Sequence, residues 1–263
     1  MKKLFPLLLI VVLSNCSKRE NPNMKGAYLM VSQTQNDGSK DTVINRRQMK
    51  IYTDEHVIYA AMRLPDSLAS YAVGTYRTEH GNVVEHYYYS SATQFREDSF
   101  HLEIEKTDTG YKQVIEDLLH SQGRTVKLTE VYRNVGNSDS TPLNGAWKQT
   151  ESFNINKKGD TTSNENIVQQ LKVYQAGHFI WTSTYLSPAK KTQIFFGYGT
   201  FQMDGDNKSK ETNTLSTFPP LIDSTVNIDV EFMGKDSYKQ TIFYPSTNNK
   251  SVEIYERLKG RGK

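Results

Sequence analysis

The stretch Gln48-Met49-Lys50-Ile51-Tyr52 decides the fold, because it recurs as Gln170-Leu171-Lys172-Val173-Tyr174. Further matches follow in the same order along the chain: Gly26-Ala27-Tyr28 with Gly145-Ala146-Trp147, His56-Val57-Ile58-Tyr59 with His178-Phe179-Ile180-Trp181, Val73-Gly74-Thr75-Tyr76 with Tyr198-Gly199-Thr200-Phe201, Tyr111-Lys112-Gln113 with Tyr238-Lys239-Gln240, and Glu130-Val131-Tyr132 with Glu253-Ile254-Tyr255. Collinear matches with small insertions indicate a duplicated module.

Within each copy the hydrophobic period is two. Phe100, Leu102 and Ile104 alternate with polar residues, and Val226 to Phe232 repeats the pattern in the second copy. This alternation is typical of half-buried antiparallel strands, and the sixteen tyrosines and eleven phenylalanines suit a pleated surface. Runs between turn signals give about eight strands in the first copy: 26–34, 42–52, 56–62, 70–79, 83–90, 99–106, 110–117 and 125–134. The end of the seventh run, Ile115 to His120, is also compatible with a helical turn.

Eight sequential antiparallel strands are enough to close a small barrel, which removes exposed sheet edges. The predicted fold class is therefore all-β, with two tandem antiparallel up-and-down barrels. The predicted organisation is a signal peptide over 1–15, a tether over 16–24, a first barrel over 25–136, a linker over 137–143 and a second barrel over 144–259.

The N-terminus has the order of a secretory signal. Lys2 and Lys3 precede an apolar run of about ten residues, too short to span a bilayer as a helix. The run ends in Leu13-Ser14-Asn15-Cys16, which resembles the lipobox of bacterial lipoproteins and implies lipidation of Cys16, the only cysteine in the chain. An ordinary thiol behind a conventional signal is the alternative. We expect a stable membrane anchor through the lipid, and no disulfide.

The residues after Cys16 bear on location. Surface-exported lipoproteins of the Bacteroidota often carry an acidic run there, whereas this chain has Ser17-Lys18-Arg19-Glu20. The expectation is an outer-membrane anchor facing the periplasm. Removing the two lysines of the signal lowers the formal charge from +3 to about +1, which gives no basic footprint for nucleic acid.

A family resemblance follows from these motifs. Gly145-Ala146-Trp147 resembles the Gly-x-Trp that starts the first strand of lipocalins, and the run from Gly74 to Ser91 resembles the lipocalin-like domain of Bacteroidota secreted proteins. The resemblance implies calycin barrels that hold a small apolar ligand. It also implies that the first-strand aromatic packs under an arginine of the last strand, Trp147 under Arg257 and Tyr28 under Arg133. Because Arg133 directly follows Tyr132 while Arg257 lies two after Tyr255, the two arginines are expected on opposite faces.

Candidate ligand contacts are the aromatic side chains at strand spacing and one carboxylate. Glu85 shares a strand face with Tyr87, so tyrosine hydroxyls would satisfy it inside a lumen; exposure on the outer face is the alternative. The predicted ligand-binding set is Tyr28, Tyr52, Tyr59, Tyr76, Glu85, Tyr87, Trp147, Tyr174 and Trp181. Aromatic residues at this spacing also serve simply as core.

Chemistry-bearing motifs are not apparent in the sequence. The six histidines form no His-x-x-x-His pair, and Gly-x-Ser-x-Gly and phosphate-loop patterns do not occur. We therefore expect no metal, no cofactor and no enzymatic activity. The function predicted is binding of a small hydrophobic or amphipathic molecule by a lipid-anchored envelope protein. The alternative is a structural or protein-interaction lipoprotein whose barrels are filled by side chains and which docks an envelope partner.

Overall fold

The computed structural model describes residues 20–91, 98–119, 123–137 and 140–260. Cys16 and the predicted signal peptide lie outside the described residues. None of the described residues forms a helix with the length and apolarity needed to cross a bilayer.

The chain forms two closed antiparallel eight-stranded barrels in tandem, which confirms the predicted fold class. The first barrel contains β1 (Gly26–Asn36), β2 (Asp41–Val43), β3 (Arg46–Tyr52), β4 (His56–Arg63), β5 (Leu68–Glu79), β6 (Asn82–Ser90), β7 (Asp98–Thr107), β8 (Gly110–Leu119) and β9 (Thr125–Asn134). Each strand from β3 to β8 pairs with the next, and β1 pairs with both β3 and β9 to close the sheet. The short β2 only extends the far end of β1.

The second barrel repeats this order. Its strands are β10 (Gly145–Ile155), β11 (Thr161–Ser163), β12 (Ile167–Gln175), β13 (His178–Leu186), β14 (Thr192–Met203), β15 (Lys208–Ser216), β16 (Thr225–Phe232), β17 (Ser237–Tyr244) and β18 (Asn249–Arg257). β10 closes the sheet by pairing with β12 and β18. A 3-10 turn, Pro219–Leu221, interrupts the loop between β15 and β16.

The predicted strands agree with the observed ones except at two places. The predicted run 42–52 is divided between β2 and β3. The segment from Ile115 continues as strand to Leu119, with a register shift between Ile115 and Leu118 instead of a helical turn; His120 lies outside the described residues.

One end of each barrel is closed by aromatic side chains. In the first barrel, Tyr28, Tyr52, Tyr111 and Tyr132 form edge-to-face and stacked pairs, and Met24 packs beneath them with 3% of its surface exposed. In the second, Trp147, Tyr174, Phe201, Tyr238 and Tyr255 do the same above the buried Leu143. The opposite end of each barrel is its mouth.

Trp147 and Arg257 form the contact that the family resemblance implies. The guanidinium carbon lies 4.0 Å from the indole centroid, and the two residues are partners in the register of β10 and β18. The first barrel differs, because Tyr28 pairs with Asn134 while Arg133 pairs with Leu29 and is exposed. The extra residue between Tyr255 and Arg257 thus places the arginine on the inward face in the second copy only.

The two barrels share an apolar core on their outer surfaces. The outward faces of β3, β4 and β5 pack against those of β12, β13 and β14. Equivalent positions occur on both sides, such as Ile51 with Val173 and Ile58 with Ile180, so the contact has approximate two-fold symmetry. Each of these four side chains is at most 1% exposed.

The barrels lie side by side with both mouths on the same side of the molecule. Near the mouths, the hydroxyl groups of Tyr71 and Thr184 are hydrogen-bonded. At the closed ends, the backbone N–H of Asn137 donates to the backbone carbonyl of Ala176 at 3.0 Å. Gly136 is so close to Ala176 that a side chain at Gly136 would clash.

Candidate functional site: the two lumens

A buried ion pair crosses the middle of each lumen. In the first barrel the Lys50 ammonium lies 3.1 Å from a Glu85 carboxylate oxygen, and in the second the Lys172 ammonium lies 2.8 Å from Glu211. The side chains are only 3% exposed in the first pair and 5% in the second. Charges are taken out of water at a large cost, so pairs this deep require further hydrogen bonds to compensate.

Neighbouring side chains in the first barrel supply those bonds. Tyr52 and Tyr87 donate hydroxyl hydrogen bonds to Glu85, the latter at 2.8 Å, and Lys50 also donates to the Gln113 side-chain oxygen at 3.1 Å. The Lys50 ammonium lies 5.2 Å from the centre of the Tyr132 ring, within cation–π range. Glu85 therefore lies on the inner face, on the same side of β6 as Tyr87, which is one of the two alternatives that the sequence left open.

A second carboxylate completes this polar layer. Glu130 accepts hydrogen bonds from the side-chain amides of Gln33 and Gln113, both at 2.6 Å, and from the Tyr132 hydroxyl at 2.8 Å. Gln48 in turn donates to the Tyr132 hydroxyl. The layer is thus a connected network in which each carboxylate has at least three donors, counting Lys50 for Glu85.

The second barrel rebuilds most of this network from equivalent residues, with Asn213 at the position of Tyr87. Tyr174 donates to Glu211 at 2.5 Å, and Lys172 donates to the Gln240 side-chain oxygen at 3.1 Å. Glu253 accepts from Gln240, Gln170 and Tyr255 at 2.8, 3.0 and 2.5 Å. The presence of this network in both barrels indicates that it fixes the shape of the lumen.

The tyrosines of this layer keep their protons. Burial raises the pKa of Tyr52 well above its usual value, and the Glu85 charge raises it further. Burial likewise raises the pKa of Tyr132, with the Glu130 charge as the next cause. In the second barrel burial and Glu211 raise the pKa of Tyr174. These phenols are therefore donors to the carboxylates throughout the neutral pH range.

Above the network the first barrel holds a cavity of about 200 Å³. Its floor is polar and includes Lys50, Glu85 and Glu130, while its walls are mostly apolar, with Tyr59, Phe100, Ile115, Leu118 and Leu128. Tyr87, one of the floor residues, packs against Tyr59 with ring centres 5.6 Å apart. The arrangement is that of an amphipathic ligand site, apolar with a few convergent polar groups.

Arg46 stands at the mouth of this cavity. Its terminal nitrogen donates to the Ser70 hydroxyl at 3.3 Å, but its Nε–H is buried and has no acceptor among the described residues. A buried guanidinium donor without a partner is uncommon, since its desolvation is not compensated. Position and chemistry together make Arg46 the group best placed to meet a ligand oxygen.

The sequence-predicted site residues divide between these regions. Tyr59, Glu85 and Tyr87 line the cavity of the first barrel, and Trp181 lines a pocket at the mouth of the second. The remaining residues lie in or beside the closed aromatic ends: Tyr28, Tyr52, Tyr76, Trp147 and Tyr174. Tyr52 and Tyr174 also reach the polar network through their hydroxyls.

Sequence reasoning missed the lysines and glutamines of the network. Their signal was present in the repeat, because Gln48, Lys50 and Tyr52 alternate along one strand face and recur as Gln170, Lys172 and Tyr174. A polar set kept at the same alternating positions of two diverged copies indicates an inward face. Among the described residues, no cluster of His, Cys, Asp and Glu has the arrangement of a metal site.

Comparison with known proteins gives a match to one family model. The chain is a tandem β-barrel protein, and residues 142–263, its second barrel, match the family model of a domain of unknown function, DUF4488. No curated protein matches the chain significantly.

Three solved structures illustrate how distant the likenesses are. A redesigned β-barrel is 14% identical with a TM-score of 0.30, covering 45% of this chain and 93% of its own. A protein of unknown function from the DUF3598 family of Nostoc punctiforme is 11% identical with a TM-score of 0.26, covering 89% and 96%. Isotype 1 transferrin binding protein B from serogroup B Neisseria meningitidis is 9% identical with a TM-score of 0.21, covering 83% and 60%. Scores this low say nothing about function.

Proposed function

We propose that this chain is a lipid-anchored envelope protein of the lipocalin-like type, whose first barrel binds a small amphipathic molecule carrying a carboxylate. The observation that carries the proposal is the apolar-walled cavity with the buried, unpartnered Arg46 Nε–H at its mouth. Its volume, about 200 Å³, is below the range of roughly 300 to 1,000 Å³ common for drug-sized ligands. A short or medium acyl chain suits that size.

Binding, not catalysis, fits the polar floor. Lys50 and Glu85 neutralise each other, and Glu85 already accepts two phenolic hydrogen bonds, so neither group is poised to transfer a proton. The apolar walls would hold the chain of the ligand, and Arg46 would pair with its carboxylate in the fork geometry that guanidinium favours.

The test is a calorimetric titration with octanoate, octanol and octylamine. Octanoate is expected to bind at least tenfold more tightly than octylamine, because only the carboxylate pairs with Arg46. Arg46→Gln is expected to remove that preference, whereas Arg47→Gln, which removes the same charge on the exposed neighbouring position, is expected to retain it.

A cavity-filling variant, Leu118→Trp, is expected to weaken all three probes together. Equal affinity for octanoate and octylamine in the wild type would overturn the carboxylate assignment. If none of the probes binds, and native mass spectrometry of protein purified from its own envelope shows no retained small molecule, ligand binding by this barrel is wrong.

The anchor is proposed from the N-terminal sequence. Lipidation of Cys16 would attach the protein to the outer membrane, facing the periplasm, because Ser17-Lys18-Arg19-Glu20 lacks the acidic character of a surface signal. Cys16→Ala is expected to move the protein from the membrane to the soluble periplasmic fraction, as measured by cell fractionation. Digestion of the protein by a protease added to intact cells would indicate a surface location, whereas protection would indicate a periplasmic one.

Docking of an envelope protein is a second candidate function. Phe243 and Tyr244 are each 45% exposed, and Ile222 is 40% exposed, all on the mouth side of the second barrel. Exposed apolar side chains gathered in one region are typical of protein contact surfaces. A photo-crosslinking residue at Phe243 is expected to capture one discrete partner in cells; capture of none would argue against this function.

A further inference from the structure

A separate pocket of about 380 Å³ lies at the mouth of the second barrel. Four of its lining residues are aromatic: Trp181, Tyr185, Phe195 and Phe218. The first three come from the inner faces of β13 and β14, and Phe218, 49% exposed, forms the lip from the loop that contains the 3-10 turn. The volume is within the range of roughly 300 to 1,000 Å³ usual for small-molecule sites.

The polar part of this lining is entirely neutral. Amide and hydroxyl groups come from Ser163, Asn164, Asn166, Gln170 and Ser183, and none of the lining side chains carries a charge. The first barrel differs at this point, because Arg46 lies on the inner face of β3, whereas a bulge between Ile167 and Gln169 puts Ile167 at the equivalent register position of β12. The two barrel mouths therefore present different chemical groups, a guanidinium in the first and only neutral groups in the second.

Trp181 is held as a fixed platform in the pocket. Its indole N–H donates to the Asn213 side-chain oxygen at 3.1 Å. Gly197 leaves the room for this pair, because a Cβ there would lie 2.4 Å from the indole nitrogen and 2.6 Å from the Asn213 oxygen. Asn213 replaces Tyr87 of the first barrel at the equivalent register position, opposite Gly199 instead of Gly74.

The loop that carries the lip is tied at its far end to the same asparagine. The Asn213 backbone amide donates to the Ser224 carbonyl at 3.1 Å, and the Asp223 amide donates to the Asn213 carbonyl at 2.8 Å. The near end of the loop is held at the lip itself, where the Phe218 backbone N–H donates to the Ser216 hydroxyl at 3.0 Å. Platform and loop are thus ordered before any ligand enters, which lowers the entropic cost of binding.

We propose that this pocket binds a neutral saccharide. A pyranose ring offers an apolar face of C–H groups, which stacks on an aromatic platform, and an edge of hydroxyls that both donate and accept. Amide side chains supply donors and acceptors on the same group, which matches hydroxyls without favouring either charge sign. The inference is independent of the carboxylate site in the first barrel.

The two tryptophans allow a direct test on the whole protein. The chain has only two, Trp147 in the closed end and Trp181 in the pocket. Labelling with 5-fluorotryptophan gives one fluorine resonance for each. Titration with glucose, galactose, N-acetylglucosamine and maltose is expected to shift the Trp181 resonance with at least one of them and to leave Trp147 in place.

Matched variants establish where the saccharide binds. Phe218→Ala removes the lip and is expected to weaken binding roughly threefold to tenfold, the effect of one aromatic contact. Phe243→Ala removes an equally exposed phenylalanine on the same side of the barrel that does not line the pocket, and is expected to leave the affinity unchanged.

Charged probes decide the chemistry. Glucuronate and glucosamine are expected to bind no more tightly than glucose. The proposal is overturned if no neutral saccharide moves the Trp181 resonance at tens of millimolar, if both resonances move together, if a charged sugar or octanoate is preferred, or if Phe218→Ala and Phe243→Ala behave alike.

Discussion

Lys50 is buried inside a barrel although lysine is among the residues least often found fully buried. Its charge is balanced by Glu85 and its remaining bonding capacity by Gln113. A pair of this kind contributes little net stability when intact, but removing one partner leaves an uncompensated charge in the interior. The contribution of Lys50 to stability is therefore measured by replacing it and comparing free energies of unfolding.

Lys50→Met is expected to lower the free energy of unfolding by about 3 to 5 kcal/mol, because Glu85 remains buried without its cation. Lys112→Met is the matched control, since it breaks an exposed strand-to-strand pair with Glu105 and is expected to cost about 1 kcal/mol or less. Denaturant unfolding of both variants measures the difference.

A double variant identifies the cause. Lys50→Met with Glu85→Gln removes both charges while leaving an acceptor for Tyr52 and Tyr87, and it is expected to recover most of the loss. If the double variant is no more stable than Lys50→Met, loss of packing by the lysine stem and not an isolated charge is responsible.

At the scale of the strand, the sequence predicts most of the elements but leaves one burial pattern unexplained. The period of two is correct for β7, where Leu102 is 1% exposed while its neighbour His101 is exposed. In β3, however, Met49 and Ile51 are apolar and point away from the lumen, whereas Gln48 and Lys50 point into it. The apolar face is buried by the other barrel, a contact that no single strand reveals.

The position of the arginine in the last strand of each barrel decides whether it can pack on the first-strand aromatic residue. Arg257 packs over Trp147 and forms an ion pair with Asp236 at 3.3 Å. It also donates to the backbone carbonyl of Asn144 at 3.1 Å. Gly145 is needed beneath it, because a Cβ there would lie 2.3 Å from a guanidinium nitrogen. Arg133, one position closer to its tyrosine, has its side chain on the outer face of β9.

We therefore expect Arg257→Gln to lower the free energy of unfolding by about 1 to 3 kcal/mol, as the cation–π contact and the carbonyl hydrogen bond are lost. Arg133→Gln, the same change in an exposed side chain, is expected to stay within about 0.5 kcal/mol of the wild type. Thermal unfolding followed by the combined fluorescence of Trp147 and Trp181 measures both variants. Equal losses in the two variants would contradict a closure specific to the second barrel.

At the scale of the whole molecule, the shared apolar core makes the two barrels one structural unit. Its two sides come from the same strands of the duplicated module, so the contact resembles that of a symmetric dimer whose subunits have become joined in one chain. The duplication itself is legible in the sequence. The packing of one copy on the other is not, because apolar outward residues at alternating positions look the same as inward ones.

The contact, not the linker, is expected to hold the barrels together. With a protease site inserted after Ser140 in the full chain, the two halves are expected to co-elute after cleavage, because the outward faces of β3 to β5 and β12 to β14 remain buried against each other. Ile180→Lys places a charge without a partner in the centre of this core, where the wild-type side chain is fully buried, and should release the halves. Val168→Lys adds the same charge at a position 64% exposed and should not. Separate elution of the wild-type halves would mean that the linker alone keeps the barrels adjacent.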